Sequence, residues 1–500
     1  MSNQCIKKFK IKIMKTKTLL TIILLFTLSF ELFAQSGISW NATINVNNMS
    51  MYGNLHPKIT MDRSGDPMII WGKTSNTAAY FSKWNGTSFT TPVIVNTTIP
   101  VFTASWAGPD IASNDDTVYV VVKETPEMMN PAYIFSSFDG GNTFSDTIRL
   151  DTYRADSISR FPTVTVDNAG NPIVGYMKIN SDFTTARWVV TRSNDYGATF
   201  NVDVKGSGWS GGDVCDCCPA TITNSGNTVA IMYRDENSNI RDMWTGVSTD
   251  NGNTFNNGMA LDSPLWMLMA CPSSGPNGVI IGDKLYSVLM SGYTGNYLTY
   301  FSESTISSLS NDTVYPLTGM MAGLTTQNYP RIATDGSAVG IVWKQTVSGE
   351  SQLPLLFTNN INNGFPAQYD TIDLGDITNA DIAIYNGNIH IVWQDDISGT
   401  VKYRSGTFSS TMGIDNISED NILQVYPNPV MSVMNVQLKN NFTGSAEITI
   451  TDVLGKTVQR RSVNINNGDM GIDVSGFTNG VYMIEVIAGS QKFASRFVKE

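Results

Sequence analysis

Histidine, cysteine and charged residues are scarce in this 500-residue sequence. It contains two histidines, His56 and His390, and five cysteines, and charged residues make up 15% of the chain. Neither a catalytic triad built on histidine nor a histidine-rich zinc site is therefore expected, and we predict no metal ion or cofactor. The net charge of −11 argues against a nucleic-acid partner, because contacts to phosphates require a basic surface.

Long apolar runs are also missing, apart from one near the N-terminus. Lys15 and Lys17 precede an apolar run over residues 19–26, and Ala34 follows at the expected cleavage point. This pattern predicts a signal peptide over residues 1–34, and a start at Met14 would give it a more typical length. The run is too short to span a membrane, so we expect no transmembrane segment in the mature chain. An uncleaved membrane anchor is the alternative.

Instead, the chain is rich in short β-type runs that repeat with a period of roughly fifty residues. Each repeat opens on a short motif, usually with proline, and a turn and a second β run follow. The seven openings are His56-Pro57-Lys58-Ile59, Gly108-Pro109-Asp110-Ile111, Phe161-Pro162-Thr163-Val164, Cys218-Pro219-Ala220-Thr221, Gly275-Pro276-Asn277-Gly278, Tyr329-Pro330-Arg331-Ile332 and Ala380-Asp381-Ile382. The period predicts an all-β fold, a β-propeller over residues 37–408. We expect seven blades, or six if the weak fifth unit is an insertion, and a strand over residues 40–46 that closes the ring.

Three hairpins in this region share the pattern S-x-D-x-G-x-T-F. Their aspartates are Asp139, Asp195 and Asp250, and residues 83–89 form a degenerate fourth copy. The carboxylate can accept backbone N–H groups in a tight turn, and the glycine supplies a positive φ. These hairpins resemble the Asp-box (BNR) repeats of sialidase-like propellers. The resemblance implies structural turns that lie far from any active site.

The last 80 residues differ from the repeats. A polar linker at 409–420 leads to residues 421–500, which contain Tyr426-Pro427-Asn428-Pro429, Asp452-Val453-Leu454-Gly455-Lys456 and Asn479-Gly480-Val481-Tyr482. These motifs resemble the type A sorting domain of the type IX secretion system, a small β-sandwich. The resemblance implies that this machinery is a partner and that the protein is secreted or held at the outer cell surface. An Ig-like adhesive domain is the alternative.

Arginines concentrate where the propeller geometry predicts one common face. Loops that lead into innermost strands share a face with loops between second and third strands, and six of the ten arginines in residues 37–408 fall there. The candidate ligand-binding residues are Arg154, Arg160, Arg187, Arg234, Arg241 with Asp242, and Arg331. Arginine pairs with carboxylate through two hydrogen bonds, so we expect exposed guanidinium groups that bind an acidic glycan or protein ligand. Scattered surface ion pairs are the alternative.

Four cysteines belong to the same face. Cys215, Cys217 and Cys218 lie before the fourth blade, and Cys271 lies before the fifth. An exported chain meets an oxidising compartment, so disulfides are predicted, with Cys271 bonded to the 215–218 group. A site for a soft ion such as Cu(I) that uses Met267 or Met269, and free or redox-active thiols, are the alternatives.

The resemblance to sialidase-like propellers raises the question of catalysis. That family uses three arginines, a tyrosine nucleophile with a glutamate partner, and an acidic aspartate. Asp110 is a candidate acid and Tyr153, Tyr233 or Tyr329 a candidate nucleophile, but the family's Arg-Ile-Pro motif is absent. We therefore expect a binding protein, with a sialidase-type glycoside hydrolase and a structural or adhesive surface protein as alternatives.

Overall fold

The computed structural model describes residues 37–47, 53–95, 98–151, 157–262, 264–408, 423–438, 443–452, 457–465, 469–488 and 491–500. The predicted signal peptide and linker lie outside these residues. The chain divides into two compact units, one on each side of Ser409. In the described residues, no helix has the length and apolar character needed to cross a membrane.

In the described residues, the first unit contains seven antiparallel sheets, six of them formed by consecutive strands and the seventh completed by the N-terminal strands. Blade 1 contains β3 (Asn54–Met61), β4 (Pro67–Lys73), β5 (Ala78–Lys83) and β6 (Val93–Ile94), and blade 2 contains β7 (Asp110–Asn114), β8 (Thr117–Lys123), β9 (Ala132–Ser137) and β10 (Ile148–Arg149). Blade 3 contains β11 (Ser157–Val166), β12 (Pro172–Asn180), β13 (Ala186–Arg192) and β14 (Val204–Lys205). Blade 4 contains β15 (Asp213–Val214), β16 (Thr221–Ser225), β17 (Thr228–Glu236), β18 (Met243–Ser248) and β19 (Asn257–Ala260).

The remaining blades follow the same plan. Blade 5 contains β20 (Asn277–Ile281), β21 (Lys284–Ser291), β22 (Leu298–Thr305) and β23 (Ser310–Pro316), and blade 6 contains β24 (Leu324–Thr334), β25 (Val339–Val347), β26 (Glu350–Thr358), a 3₁₀ turn (Ile361–Asn363) and β27 (Asp370–Leu374). Blade 7 contains β28 (Ile377–Tyr385), β29 (Asn388–Asp395) and β30 (Thr400–Phe408). The prediction of an all-β propeller is confirmed with seven blades, since the weak fifth repeat forms a complete sheet.

The N-terminal segment completes blade 7. The strands β1 (Ile38–Trp40) and β2 (Ile44–Asn45) both pair antiparallel with β30, Ile38 opposite Phe408 and Ile44 opposite Tyr403. The first strands of the unit therefore form the outer edge of its last sheet. This arrangement closes the ring as predicted and covers a sheet edge that would otherwise be free.

The core lies between neighbouring sheets and is built mainly on the second strand of each blade. These strands are apolar on both faces because each sheet is covered on two sides. Four tryptophans, Trp71, Trp188, Trp343 and Trp393, are fully buried there or on the adjacent strand. The strand directions place the loops into the innermost strands and the loops between second and third strands on one side, the upper face.

The second unit is a small β-sandwich. One sheet contains β31 (Leu423–Tyr426), β32 (Val433–Leu438) and β35 (Asp469–Asp473). The other contains β33 (Gly444–Asp452), β34 (Thr457–Ile465), β36 (Gly480–Ala488) and β37 (Gln491–Lys499). Alternating residues such as Met434, Val436, Ile448 and Ile450 are buried between the sheets, which is the pattern of strands with one covered face.

Candidate functional site

Four of the innermost strands contain a β-bulge near their start. In blades 1, 3, 6 and 7 two residues are skipped in the pairing with the second strand, and the first of them has a positive φ. These residues are His56, Phe161, Tyr329 and Asn379, with φ values of 59°, 51°, 53° and 50°. Proline follows in three of the four blades, and because it has no N–H it cannot donate to the ladder.

One residue of each opening motif occupies an equivalent position, directly after the proline or its alanine counterpart. We call these seven residues the axial ring: Lys58, Asp110, Thr163, Ala220, Asn277, Arg331 and Asp381. Three members tie their blade to the next one through backbone N–H groups. Asp110 Oδ2 accepts from Val164 N at 3.2 Å, Asn277 Oδ1 from Ile332 N at 2.8 Å, and Asp381 Oδ2 from Ile59 N at 3.1 Å.

The two cations of the axial ring have no such partner. Within the described residues, neither Lys58 Nζ nor the Arg331 guanidinium forms a hydrogen bond or an ion pair, although Lys58 is only 8% exposed. Burial, and then the charge of Arg331, lower the pKa of Lys58, while Asp381 and Asp110 oppose that shift. An ammonium group removed from water without a partner is costly, so this position favours an anion.

A small cavity on the axis adjoins these cations. It is lined by the openings of blades 1, 4, 5, 6 and 7, with His56, Lys58, Trp106, Tyr329 and Arg331 among its walls. A second small cavity, lined by the openings of blades 1, 2, 3, 4 and 6, shares Lys58 and Arg331 with it. Its volume, measured as the space open to the centre of a water molecule, is about 30 Å³. That is room for about two waters, so a carboxylate group fits the cavity.

The walls of the cavity include a neutral imidazole and an aromatic ring. Burial, and then the charges of Lys58 and Arg331, hold the pKa of His56 well below its usual range, and the buried Nδ1 atom has no hydrogen-bond partner in the described residues. The indole of Trp106 is 37% exposed. Asn379 Nδ2 fixes the Trp106 loop by donating to Ser105 O at 2.9 Å. An exposed indole offers a flat apolar surface beside the charged cavity.

The predicted arginines of blade 3 lie in different environments. Arg160 on β11 binds both carboxylate oxygens of Glu127, from Nε at 2.9 Å and from Nη2 at 3.2 Å, and also donates to Asp216 O. Arg187 on β13 is half-buried and forms no hydrogen bond or ion pair within the described part of the chain. Arg154 lies outside the described residues. Of the two arginines in this group that the structure describes, Arg187 is therefore the one whose guanidinium has no protein partner.

Arg234, near the end of β17, is buried and hydrogen-bonded within the protein. It is 0% exposed, and its guanidinium donates to Ser274 O at 3.1 Å, Arg241 O at 2.7 Å and Met290 O at 2.8 Å. The guanidinium carbon also lies 5.1 Å from the centroid of the Trp266 ring. The expectation of an exposed guanidinium at Arg234 is wrong, because loops from blades 4 and 5 fold over it.

Arg241 and Asp242 support the same loops. Arg241 Nε donates to Leu268 O at 2.9 Å, and Asp242 accepts from Trp266 N at 2.9 Å and Leu265 N at 3.2 Å. Burial raises the pKa of Asp242. The candidate arginines therefore do not form one exposed surface: Arg331 faces the axial cavity, whereas Arg234 and Arg241 fix the loops of blades 4 and 5.

The cysteines lie beside Arg241. A disulfide joins Cys217 to Cys271, which links the two loops in the predicted way, and Cys215 and Cys218 are buried thiols whose Sγ atoms are 3.0 Å apart. Arg241 Nη1 donates to Cys215 Sγ at 3.0 Å. Hydrogen bonding with Cys218, supported by Arg241 and Arg234, lowers the pKa of Cys215 to about 7, and burial raises the pKa of Cys218.

The three S-x-D-x-G-x-T-F hairpins have nearly identical geometry on the lower face. In the first, Asp139 accepts from Thr143 N at 2.9 Å and Thr143 Oγ1 at 2.7 Å, and Gly141 has a φ of 79°. Hydrogen bonding, with the Thr143 N–H first, lowers the pKa of Asp139 to about 2. Asp195 and Asp250 make the same bonds to Thr199 and Thr254. All three carboxylates therefore accept hydrogen bonds within their own turns.

The residues considered for sialidase-type catalysis are also engaged or buried. Asp110 accepts from Thr163 Oγ1 at 2.7 Å, in addition to its backbone bond. Burial raises the pKa of Tyr233 and of Tyr329, which makes either phenol a poorer source of phenolate. Tyr153 lies outside the described residues. The cavity residues that the sequence interpretation missed are Lys58, His56 and Trp106, although the first two stand in the opening motif of the first repeat.

Comparison with known proteins identifies the C-terminal unit. Residues 424–500 match the family model of the secretion system C-terminal sorting domain. No curated protein matches the chain.

Several solved structures are distantly similar to the chain. An α-L-arabinofuranosidase from Fusarium graminearum is 10% identical, with a TM-score of 0.42 over 74% of this chain and 98% of that one. A polysaccharide lyase, an ulvan lyase, is 10% identical, with a TM-score of 0.46 over 74% and 94% of the two chains. The NanB sialidase of Streptococcus pneumoniae is 12% identical, with a TM-score of 0.40 over 74% and 71%. No conclusion about this chain rests on these likenesses.

The sheet topology and the family match establish what this molecule is built from. Seven consecutive sheets with an N-terminal closing strand form the first unit, and the sorting-domain match covers most of the second. The chain is therefore an exported protein, secreted or displayed at the outer cell surface, which consists of a seven-bladed β-propeller and a C-terminal sorting domain of a secretion system.

Proposed function

We propose that the propeller binds an acidic glycan at the axial cavity, with the ligand carboxylate between Lys58 and Arg331. The observation that carries this proposal is a pair of cations that have no partner among the described residues and that line a cavity with room for a carboxylate. The other polar members of the axial ring already use their side chains to join neighbouring blades. A carboxylate would give both cations the partner that burial makes valuable.

The geometry around the cavity supports a sugar as the carrier of that carboxylate. The acid group fits inside, and the ring to which it is attached remains at the mouth, beside the exposed indole of Trp106. Aromatic side chains with one apolar face provide a stacking surface of this kind. His56 adds ring nitrogens that can exchange hydrogen bonds with hydroxyl groups while the imidazole stays neutral.

Titration of the exported protein with acidic and neutral oligosaccharides tests this proposal. Arg331→Ala should weaken binding of uronate- or sialate-containing glycans about ten- to a hundredfold, since a charge-assisted hydrogen bond contributes about 1.5–3 kcal/mol. Lys58→Met, which keeps the side-chain volume, should have a similar effect. Arg63→Ala is the matched control, because Arg63 is exposed in the turn between β3 and β4, on the lower face.

Four results would count against this function. Equal affinity in the Arg331 and Arg63 variants would exclude the axial cavity, and binding of neutral glycans alone would exclude the carboxylate. Turnover of a fluorogenic sialoside, measured in parallel and lost in Arg331→Ala, would favour the hydrolase alternative. If no glycan binds, a structural or adhesive role for the disc becomes the better interpretation.

A further inference from the structure

Two thiols and a disulfide are in direct contact beside blade 4. Cys217 is bonded to Cys271, and Cys215 Sγ lies 3.4 Å from Cys217 Sγ and 3.0 Å from Cys218 Sγ. The sulfurs of Cys215, Cys217 and Cys218 all lie within 4.8 Å of one another. A thiolate attacks a disulfide at one of its sulfur atoms, so contact between a thiol and a disulfide is the first requirement for exchange.

The surroundings of Cys215 favour its thiolate. Arg241 Nη1 donates to Cys215 Sγ at 3.0 Å, and the hydrogen bond with Cys218 and the charges of Arg241 and Arg234 lower the pKa of Cys215 to about 7. The thiolate is the nucleophile in exchange, and its reactivity is greatest when its pKa lies near the ambient pH. The same positive charges oppose a bound cation, which argues against a metal site at these sulfurs.

The two pairs of sulfurs differ in exposure. Cys271 is exposed and Cys217 is half-buried, whereas Cys215 is 0% exposed and Cys218 1% exposed. External thiols and disulfides therefore meet the Cys217–Cys271 pair, and the other pair is reached only through Cys217. An exposed disulfide in contact with a buried dithiol can oxidise that dithiol by exchange, and the dithiol itself need not become exposed to solvent.

We propose that the four cysteines form an intramolecular disulfide relay, in which the oxidised state passes between the outer pair Cys217–Cys271 and the inner pair Cys215–Cys218. The Cys215 thiolate attacks Cys217 Sγ, the Cys215–Cys217 bond forms, and the electron pair leaves on Cys271, which takes up a proton. Cys218 then loses its proton and attacks Cys215 Sγ, and the electron pair leaves on Cys217. One disulfide is broken and one is formed overall, so no external oxidant or reductant is consumed.

The relay acts on loops that border the axial cavity. Ser273, Ser274, Gly275 and Pro276 follow Cys271 closely in sequence and line the cavity. Transfer of the disulfide to Cys215–Cys218 releases the covalent link between the loops before blades 4 and 5. The wall of the cavity formed by blade 5 is then held only by non-covalent contacts, including the Arg234 bond to Ser274 O.

Disulfide mapping of the exported protein tests the relay. The sample is adjusted to one disulfide per chain with limiting phosphine, incubated at about pH 8 or about pH 5, quenched with acid and alkylated. A protease that cleaves before aspartate separates Cys215 from Cys217 and Cys218, because Asp216 lies between them. At the higher pH we expect both Cys217–Cys271 and Cys215–Cys218 linkages, and at the lower pH their interconversion should slow at least tenfold.

Variants isolate the steps. Cys218→Ser lacks the second nucleophile and should accumulate the Cys215–Cys217 linkage, with Cys271 alkylated. Cys215→Ser should keep the Cys217–Cys271 linkage alone at both pH values. Arg241→Gln retains all four cysteines and should slow the exchange several-fold, and thermal unfolding of each variant verifies that it is folded.

The proposal is overturned if wild-type protein with one disulfide contains only the Cys217–Cys271 linkage after incubation at the higher pH. It is also overturned if Cys218→Ser shows no Cys215–Cys217 linkage while its fold is intact, or if the purified wild-type protein carries stoichiometric copper or zinc on these sulfurs. Equal exchange rates in Arg241→Gln and the wild type would remove Arg241 from the mechanism and contradict the thiolate argument.

Discussion

Replacement of Arg234 by alanine should destabilise the propeller strongly. The guanidinium is fully buried and donates to three carbonyl groups, those of Ser274, Arg241 and Met290. Two of these carbonyls belong to blade 5 or to the loop before it, so the side chain joins two blades. An alanine leaves three buried acceptors without donors and a space where the guanidinium packs against Trp266.

The structure sets the size of the effect. Hydrogen bonds from a charged donor contribute about 1.5–3 kcal/mol each, but removal of Arg234 also removes the desolvation cost of a buried cation. In the described residues no carboxylate lies within salt-bridge distance of it. Each buried carbonyl left without a donor costs about 1–3 kcal/mol, and relief of the desolvation cost offsets part of that sum, so we expect a net loss of about 3–5 kcal/mol. For a unit of roughly 370 residues this lowers the melting temperature by about 4–6 °C.

Thermal unfolding followed by circular dichroism measures this difference. Arg63→Ala is the matched control, because that arginine is exposed and its loss should change stability by less than about 0.5 kcal/mol. Arg234→Lys keeps the charge but not the planar fork, so its melting temperature should fall between those of the wild type and the alanine variant. If Arg234→Ala and Arg63→Ala melt at the same temperature, Arg234 does not hold blades 4 and 5 together.

Two further predictions follow from the sorting domain and from a buried carboxyl group. Deletion of residues 421–500, which include the matched sorting domain, should leave the protein in the periplasm on cell fractionation, and surface display of the truncated protein would contradict this. Burial raises the pKa of Asp262 to about 7, so the folded protein retains a proton that the unfolded chain releases, and stability should fall as the pH rises from about 4 to about 7. Asp262→Asn should flatten that part of the pH profile of the melting temperature, and an unchanged slope would assign it to other groups.

The blades could be predicted because each repeat carries a short sequence motif at the start of its innermost strand. Proline cannot donate to the ladder, so it stands where the innermost strand begins, and turn residues and a second apolar run follow. The fifth repeat looked weak for a reason that the structure explains. A Cβ atom at Gly278 would lie 2.6 Å from Met232 Sδ, so the methionine of blade 4 fills the space that an apolar residue takes in five of the other six repeats.

The candidate site was less predictable, because burial of an arginine depends on distant parts of the chain. The sequence places Arg234 and Arg331 on the same face of the propeller, at different points of their repeats. The acceptors that bury Arg234 come from residues 40 and 56 positions away, which no local pattern reveals. Lys58 could have been found from the sequence, since it occupies the same place in its repeat as Arg331.

The axial ring explains how a repeated scaffold acquires a single site. The same position serves all seven blades, and in most of them its side chain stabilises the ring. Asp110, Asn277 and Asp381 bind the neighbouring innermost strand, and Ala220 is buried. Lys58 and Arg331 depart from this pattern, because the two cations repel one another and form no hydrogen bond or ion pair with any residue that the structure describes. Residues that lower the stability of the folded protein and make no compensating contact are expected at ligand sites, because the ligand supplies the missing partner. The axial-ring positions that depart from the shared pattern, Lys58 and Arg331, are therefore the ones expected to bind a ligand.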